Sequence, residues 1–162
     1  MAWDAYLTVE GVSGESKRSG HEGEIEIQSF SFGASNPSSV GHGGGGGTGT
    51  VNVSSFSVMK RTDAASAELF QKCCVGEHFP TGKLTLYKSG GSGGALDYLV
   101  YEFEELYVDA IQWSGADGCD PVPFESVSFS FGKVSITYAE QNPDGTRGGD
   151  HVGTWDVRAG VA

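Results

Sequence analysis

The sequence predicts a mainly β fold built around a single helix, and three observations carry that reading. Apolar residues recur at every second position in several short runs, the period of a half-buried strand. The chain holds 26 glycines among 162 residues, enough to punctuate many turns. One stretch, Ala64 to Cys74, is free of both Gly and Pro and places Leu69, Phe70, Cys73 and Cys74 on one apolar helical face. The length fits one domain with a real core, spanning residues 1–162.

Trp3, Ala5, Leu7 and Val9 alternate with polar neighbours and predict a first strand, followed by a polar loop over Gly11–Gly23. From Glu24 to Phe32 the apolar parity switches near Ser29, which predicts a bulge or a strand that changes neighbours. The glycine-rich run from Gly33 to Thr50, unbroken from Gly43 to Gly47, reads as a long loop inside one domain, because 32 residues before it are too few to fold alone. Strand pattern resumes over Val51–Lys60. Thr62 and Asp63 are candidate caps for a helix over residues 63–75, and Gly76 supplies its stop.

Lys83–Lys88 predicts a short strand, and the SGGSGG run from Ser89 to Gly94 a turn. Tyr98–Ile111 is strand-like with a parity shift across Glu104 and Glu105, a second bulge signal. After a loop over Ser114–Pro123, Val127–Phe131 and Val134–Tyr138 alternate, with the slip between them absorbed at Gly132. Asn142-Pro143-Asp144-Gly145 is a turn signal, and Thr154–Arg158 a last strand. The pattern gives about eight strands and one helix. Ser29-Phe30-Ser31-Phe32-Gly33 and Ser128-Phe129-Ser130-Phe131-Gly132 echo one another, as strands with Phe on one face do.

Net charge is −11, and the basic residues are scattered, which disfavours a nucleic-acid partner and fits a solubilising surface. No run approaches the ~20 apolar residues of a bilayer span, so membrane insertion is not expected. The N-terminus lacks a basic segment followed by an apolar run, so no signal peptide is expected. Cys73, Cys74 and Cys119 make a poor disulfide framework and no metal pair, and are expected as buried small hydrophobes.

No catalytic set is complete. There is no G-x-S-x-G elbow, and His21, His42, His78 and His151 fall in expected loops without ligand spacing, where solvated side chains are expected. Glu102, Glu104 and Glu105 offer paired carboxylates for glycoside hydrolysis, but a solvated face or a salt-bridge row on a strand is the simpler reading. The glycine run lacks the Lys-Ser/Thr of a phosphate loop. Neither a cofactor nor a metal site is expected. A carbohydrate-binding β-sandwich using Trp3, Trp113 or Trp155 as a stacking platform is the alternative from another class.

Short ordered matches run along almost the whole chain. Asp4-Ala5-Tyr6-Leu7, Val12-Ser13-Gly14-Glu15-Ser16 and His21 come first, then Glu24-Ile25-Glu26-Ile27 and Phe30-Ser31-Phe32-Gly33. The Gly43–Gly47 run, Val51-Asn52-Val53, Phe56, Lys60, Asp63, Cys73, His78-Phe79-Pro80, Lys83-Leu84-Thr85 and Lys88-Ser89-Gly90-Gly91 follow. Tyr98-Leu99, Glu105, Val127, Phe131, Asp144-Gly145 and Trp155 complete the series. Together they resemble the Hcp family, the tube protein of bacterial type VI secretion systems.

That resemblance implies a compact β-barrel of two antiparallel sheets with one flanking helix, assembling as a hexameric ring. It implies rings stacked into a tube, sheath and spike proteins as partners, secreted effectors in the lumen, and a structural rather than enzymatic role. It also implies a subunit assembled in the cytoplasm and exported without a signal peptide to the extracellular space or a target cell. On this reading Gly43, Gly44, Gly45, Gly46 and Gly47 are candidates for ring stacking, and Gln112, Trp113, Ser114, Gly115 and Ala116 for the channel wall.

Overall fold

A computed structural model describes residues 3–37, 49–89, 94–118 and 120–162. In chain order the elements are β1 (Asp4–Val9), β2 (Ile25–Ile27), β3 (Ser29–Ser31), β4 (Ala34–Ser35), β5 (Asn52–Val53), β6 (Phe56–Arg61), α1 (Ser66–Val75), β7 (Phe79–Ser89), β8 (Ala95–Ser114), β9 (Phe124–Gln141) and β10 (Arg147–Asp156).

All pairings are antiparallel, in one large sheet of order β2-β1-β7-β8-β9-β6-β3 and a small β4-β5 ribbon, with β10 added to β9. The two ends of that order, β2 and β3, are separated by Gln28 alone, whose N–H donates to the Met59 carbonyl on β6 (2.8 Å). The sheet therefore curls into a barrel nearly closed on itself, which leaves few open edges. The parity switch expected near Ser29 is this corner: β2 pairs with β1, and β3 turns away to pair with β6.

The core fills the barrel. Leu7, Leu84, Leu86, Phe56, Phe103, Leu106, Val127 and Phe129 are all buried, and the rings of Phe56 and Phe103 lie 4.8 Å apart. Phe103 and Leu106 both face inward, which an unbroken strand cannot arrange across three positions. Between them Glu105 adopts φ 56°, a left-handed backbone that is costly for any residue with a Cβ. The bulge expected across Glu104 and Glu105 is instead a left-handed kink, since the register runs unshifted through it, and the register shift of β8 against β9 falls between Val108 and Ala110. The slip at Gly132 lies directly opposite, between the pairs Glu104↔Lys133 and Leu106↔Phe131, and β9 runs through it as one strand.

Helix α1 packs on β8. It begins at Ser66, three residues later than expected, because Asp63 turns back to accept the Ala65 N–H (3.0 Å). Gly76 ends it in the left-handed conformation, donating its N–H to the Lys72 carbonyl. Several expected strands prove too short. β7 starts at Phe79, β8 runs on to Ser114, and β10 covers Arg147–Asp156 rather than Thr154–Arg158. β10 was hidden because Gly148, Gly149, Gly153 and its charged residues carry no apolar alternation.

Candidate functional site

The short motif Gly14-Glu15-Ser16 is a fastening point. A Cβ on Gly14 would lie 2.4 Å from the Glu24 carbonyl oxygen, so only glycine lets the β1–β2 loop pass this close to the backbone. Glu15 accepts the Ala64 N–H (3.2 Å), tying that loop to the segment entering α1. Ser16 is buried, and its hydroxyl accepts the Arg18 N–H. His21 stacks face to face on Tyr6 at 4.2 Å, meets Tyr87 at 4.4 Å, and places Nδ1 3.0 Å from Glu24 Oε2. His21 is thus packed rather than solvated, a correction to the loop reading.

Beneath α1 lies a buried ionic cluster. Lys60 is fully enclosed, with Nζ 2.5 Å from Glu125 Oε1, 2.7 Å from Asp63 Oδ1 and 3.1 Å from Ser66 Oγ. Ser66 Oγ donates in turn to Glu125 (2.9 Å). The cluster joins β6, β9 and the first turn of α1. Lys60 and Asp63 figured among the matching positions, but their role depends on Glu125, more than 60 residues away in sequence, which no local pattern reveals.

Other candidate residues take structural partners. Glu102 faces Lys83 across the β7–β8 ladder, Glu104 faces Lys133 across β8–β9, and Glu105 pairs with Arg158 (2.5 Å). Of the three carboxylates Glu105 alone makes an ion pair among the described residues, while Glu102 and Glu104 stand in register opposite lysines. His151 stands on β10, not in a loop, with Nε2 2.9 Å from Glu140 Oε1, and His78 lies against Tyr107. Cys73 is half-buried and donates to the Asp109 carbonyl, whereas Cys74 is exposed, contrary to the expected buried set. Cys119 and His42 lie outside the described residues. Trp3 meets Phe30, Trp113 meets Phe70, and Trp155 packs on the core, so the three tryptophans build no common platform.

The expected wall residues divide. Gln112, Trp113 and Ser114 end β8, and Gly115 and Ala116 follow it. Gln112 registers with Ser126, Ser126 with Met59, and Met59 with Ser29, so Gln112 belongs to an outward face running across four strands. The next row, Ala110–Ser128–Ser57–Ser31, continues that face, with Ser57 and Ser128 hydroxyls 3.0 Å apart. Trp113 points the other way, toward Phe70 of α1 at 5.7 Å. The serines of the two SFSF echoes supply this face. They were visible in the sequence, but only the ladder shows that they converge. The Gly43–Gly47 run lies outside the described residues, while the ends of its loop form the β4–β5 ribbon, closed by the Gly49 N–H donating to the Pro37 carbonyl (2.9 Å).

A family model described as "Type VI secretion system effector, Hcp" matches residues 6–138. The chain belongs to the Hcp family. It is 36% identical to protein hcp1 of Pseudomonas aeruginosa over 162 residues, 99% of each chain. A solved structure of a type six secretion system protein superposes with TM-score 0.91 at 30% identity, over 98% of both chains. Hcp1 from Salmonella typhimurium follows with TM-score 0.80 and 31% identity, over 98% of this chain and 97% of that one. Hcp is a structural, secreted protein of type VI secretion. Among the described residues, no helix is long and apolar enough to cross a membrane.

Proposed function

We propose that this Hcp chain is a tube subunit that closes into six-membered rings, and that the rings stack into the inner tube of a type VI secretion system. The observation that carries this is the full-length likeness to Hcp proteins on a nearly closed barrel. A contractile sheath drives the tube outward with a spike, and the lumen carries small effectors. The subunit leaves the cytoplasm with the machine. It works without catalysis, a reading supported by the packing of His21 against Tyr6 and Tyr87 and by the ion pair of Glu105 with Arg158.

The channel wall is the serine-rich face that holds Gln112 and Ser126, with Trp113 on the helix side instead. Its small uncharged hydroxyls offer cargo no strong foothold. The Gly43–Gly47 run, carried on the β4–β5 stem, makes the contact between stacked rings. Electron microscopy of the purified protein tests the assembly: six-fold rings are expected. A strictly monomeric species in light scattering at micromolar concentration would overturn it.

A further inference from the structure

β10 is an arm with little of the molecule around it. Six consecutive residues, Gly149 to Thr154, are exposed, so over this length neither face of the strand is covered. Among the described residues β9 alone pairs with it here, leaving its outer edge unpaired. Val152 stands 64% exposed, and Tyr138, on the β9 half, 44%. The β9 residues that β10 pairs with, Val134 to Tyr138, are paired on their other side with β8, so β10 is an edge strand of the sheet, and a long bare edge is a template for pairing with another chain. The charges here are already satisfied at home: Arg147 pairs with Asp97 and Asp150, and His151 with Glu140. The arm therefore selects its partner by shape and apolar contact rather than by charge.

A second apolar surface lies at the end of β8, away from the half of that strand that runs alongside the β9 partners of β10. One edge of β9 is paired with β8 along almost its whole length, while the other edge holds β6 and then β10. Helix α1 packs on β8, where Phe70 (48% exposed) and Trp113 (43%) stack on each other, with Cys74 exposed one turn beyond Phe70. A closed ring is built from heterologous contacts, which need two different surfaces on opposite sides of each subunit. The β10 edge and the aromatic seat at the end of β8 are two such different surfaces.

We infer that the β10 arm of each subunit docks on the Phe70–Trp113 surface of a second copy, and that this contact joins neighbours within the ring. The inference rests on the ring reading above and names the two surfaces that close it. Val152→Asp spoils the arm and leaves the seat intact, whereas Phe70→Asp does the reverse. Each variant alone should run as a monomer in size exclusion with light scattering. Mixed in equal amounts, they should form a 1:1 dimer of twice the 17.0 kDa subunit mass and stop there, because only one productive contact is left.

If either variant loses its β-sheet circular dichroism, Val152→Ser and Trp113→Ser replace them with the same expectation. Folded variants that remain hexameric, or a mixture that stays monomeric, would overturn the docking while leaving the ring standing. A wild-type protein that is itself monomeric would instead overturn the ring reading, and this contact with it.

Discussion

Lys60 is the residue on which the junction of barrel and helix turns. Its ammonium has exchanged water for Glu125, Asp63 and Ser66, and both Lys60 and Glu125 are essentially inaccessible. Removing one member strands the other charge in a dry site, which costs about 3–5 kcal/mol, whereas replacing both by apolar groups of similar size is often neutral or stabilising. Lys60→Met should therefore lower the urea-derived stability by several kcal/mol, and Lys60→Met with Glu125→Leu should recover most of the loss. A double variant as unstable as the single one would show that the cluster's hydrogen bonds, not its charge balance, hold the helix. Gly14 makes a second claim at this scale. A methyl group there meets the Glu24 carbonyl and the Ile25 backbone, neither of which can swing aside. Gly14→Ala should cost about 1–3 kcal/mol, the usual penalty of forced overpacking, and thermal unfolding would register it.

At the scale of elements, the bends of the barrel were the most legible feature. The parity switch at Ser29 marks the corner between β2 and β3, and the slip across Glu104 and Glu105 marks the kink in β8. Both showed because Phe and Ile residues on either side report which face is buried, and a change of face leaves a trace in the alternation. β10 and the division of Gln112 from Trp113 left none. A strand bare on both faces has no alternation to read, and the end of β8 owes its two environments to α1 and β9, distant in sequence. The kink at Glu105 gives this scale its prediction. Glu105 holds a positive φ that a β-branched side chain resists most and glycine least. Glu105→Val should be less stable than Glu105→Gly by about 1–2 kcal/mol, the left-handed penalty, although both lose the Arg158 partner equally. Equal melting temperatures would mean that β8 relaxes out of the left-handed kink once the ion pair is gone.

For the molecule as a whole, the limits of pH follow from which groups the fold shelters. On the acid side, Glu77 is held below the ordinary carboxyl range by its hydrogen bond from Lys72, Asp144 by Thr146, and Asp156 chiefly by the Ala159 N–H. All three stabilise the fold above the ordinary carboxyl range and stop doing so as pH falls through their folded values. The alkaline side is set by tyrosines. Burial pushes the phenols of Tyr6, Tyr87, Tyr98 and Tyr101 above the ordinary value of 10.0, because a phenolate is poorly solvated against the barrel. Below pH 10 these phenols are neutral in folded and unfolded chains alike, and their contribution is fully present. As pH rises further the unfolded chain ionises first, so stability must fall toward the folded values. Absorbance at 295 nm, followed together with far-UV circular dichroism, should show these tyrosines ionising later than in guanidinium-unfolded protein and together with loss of the sheet. Full ionisation near pH 10 with an intact β spectrum would show that the phenols reach water without unfolding, and that burial does not set the alkaline limit.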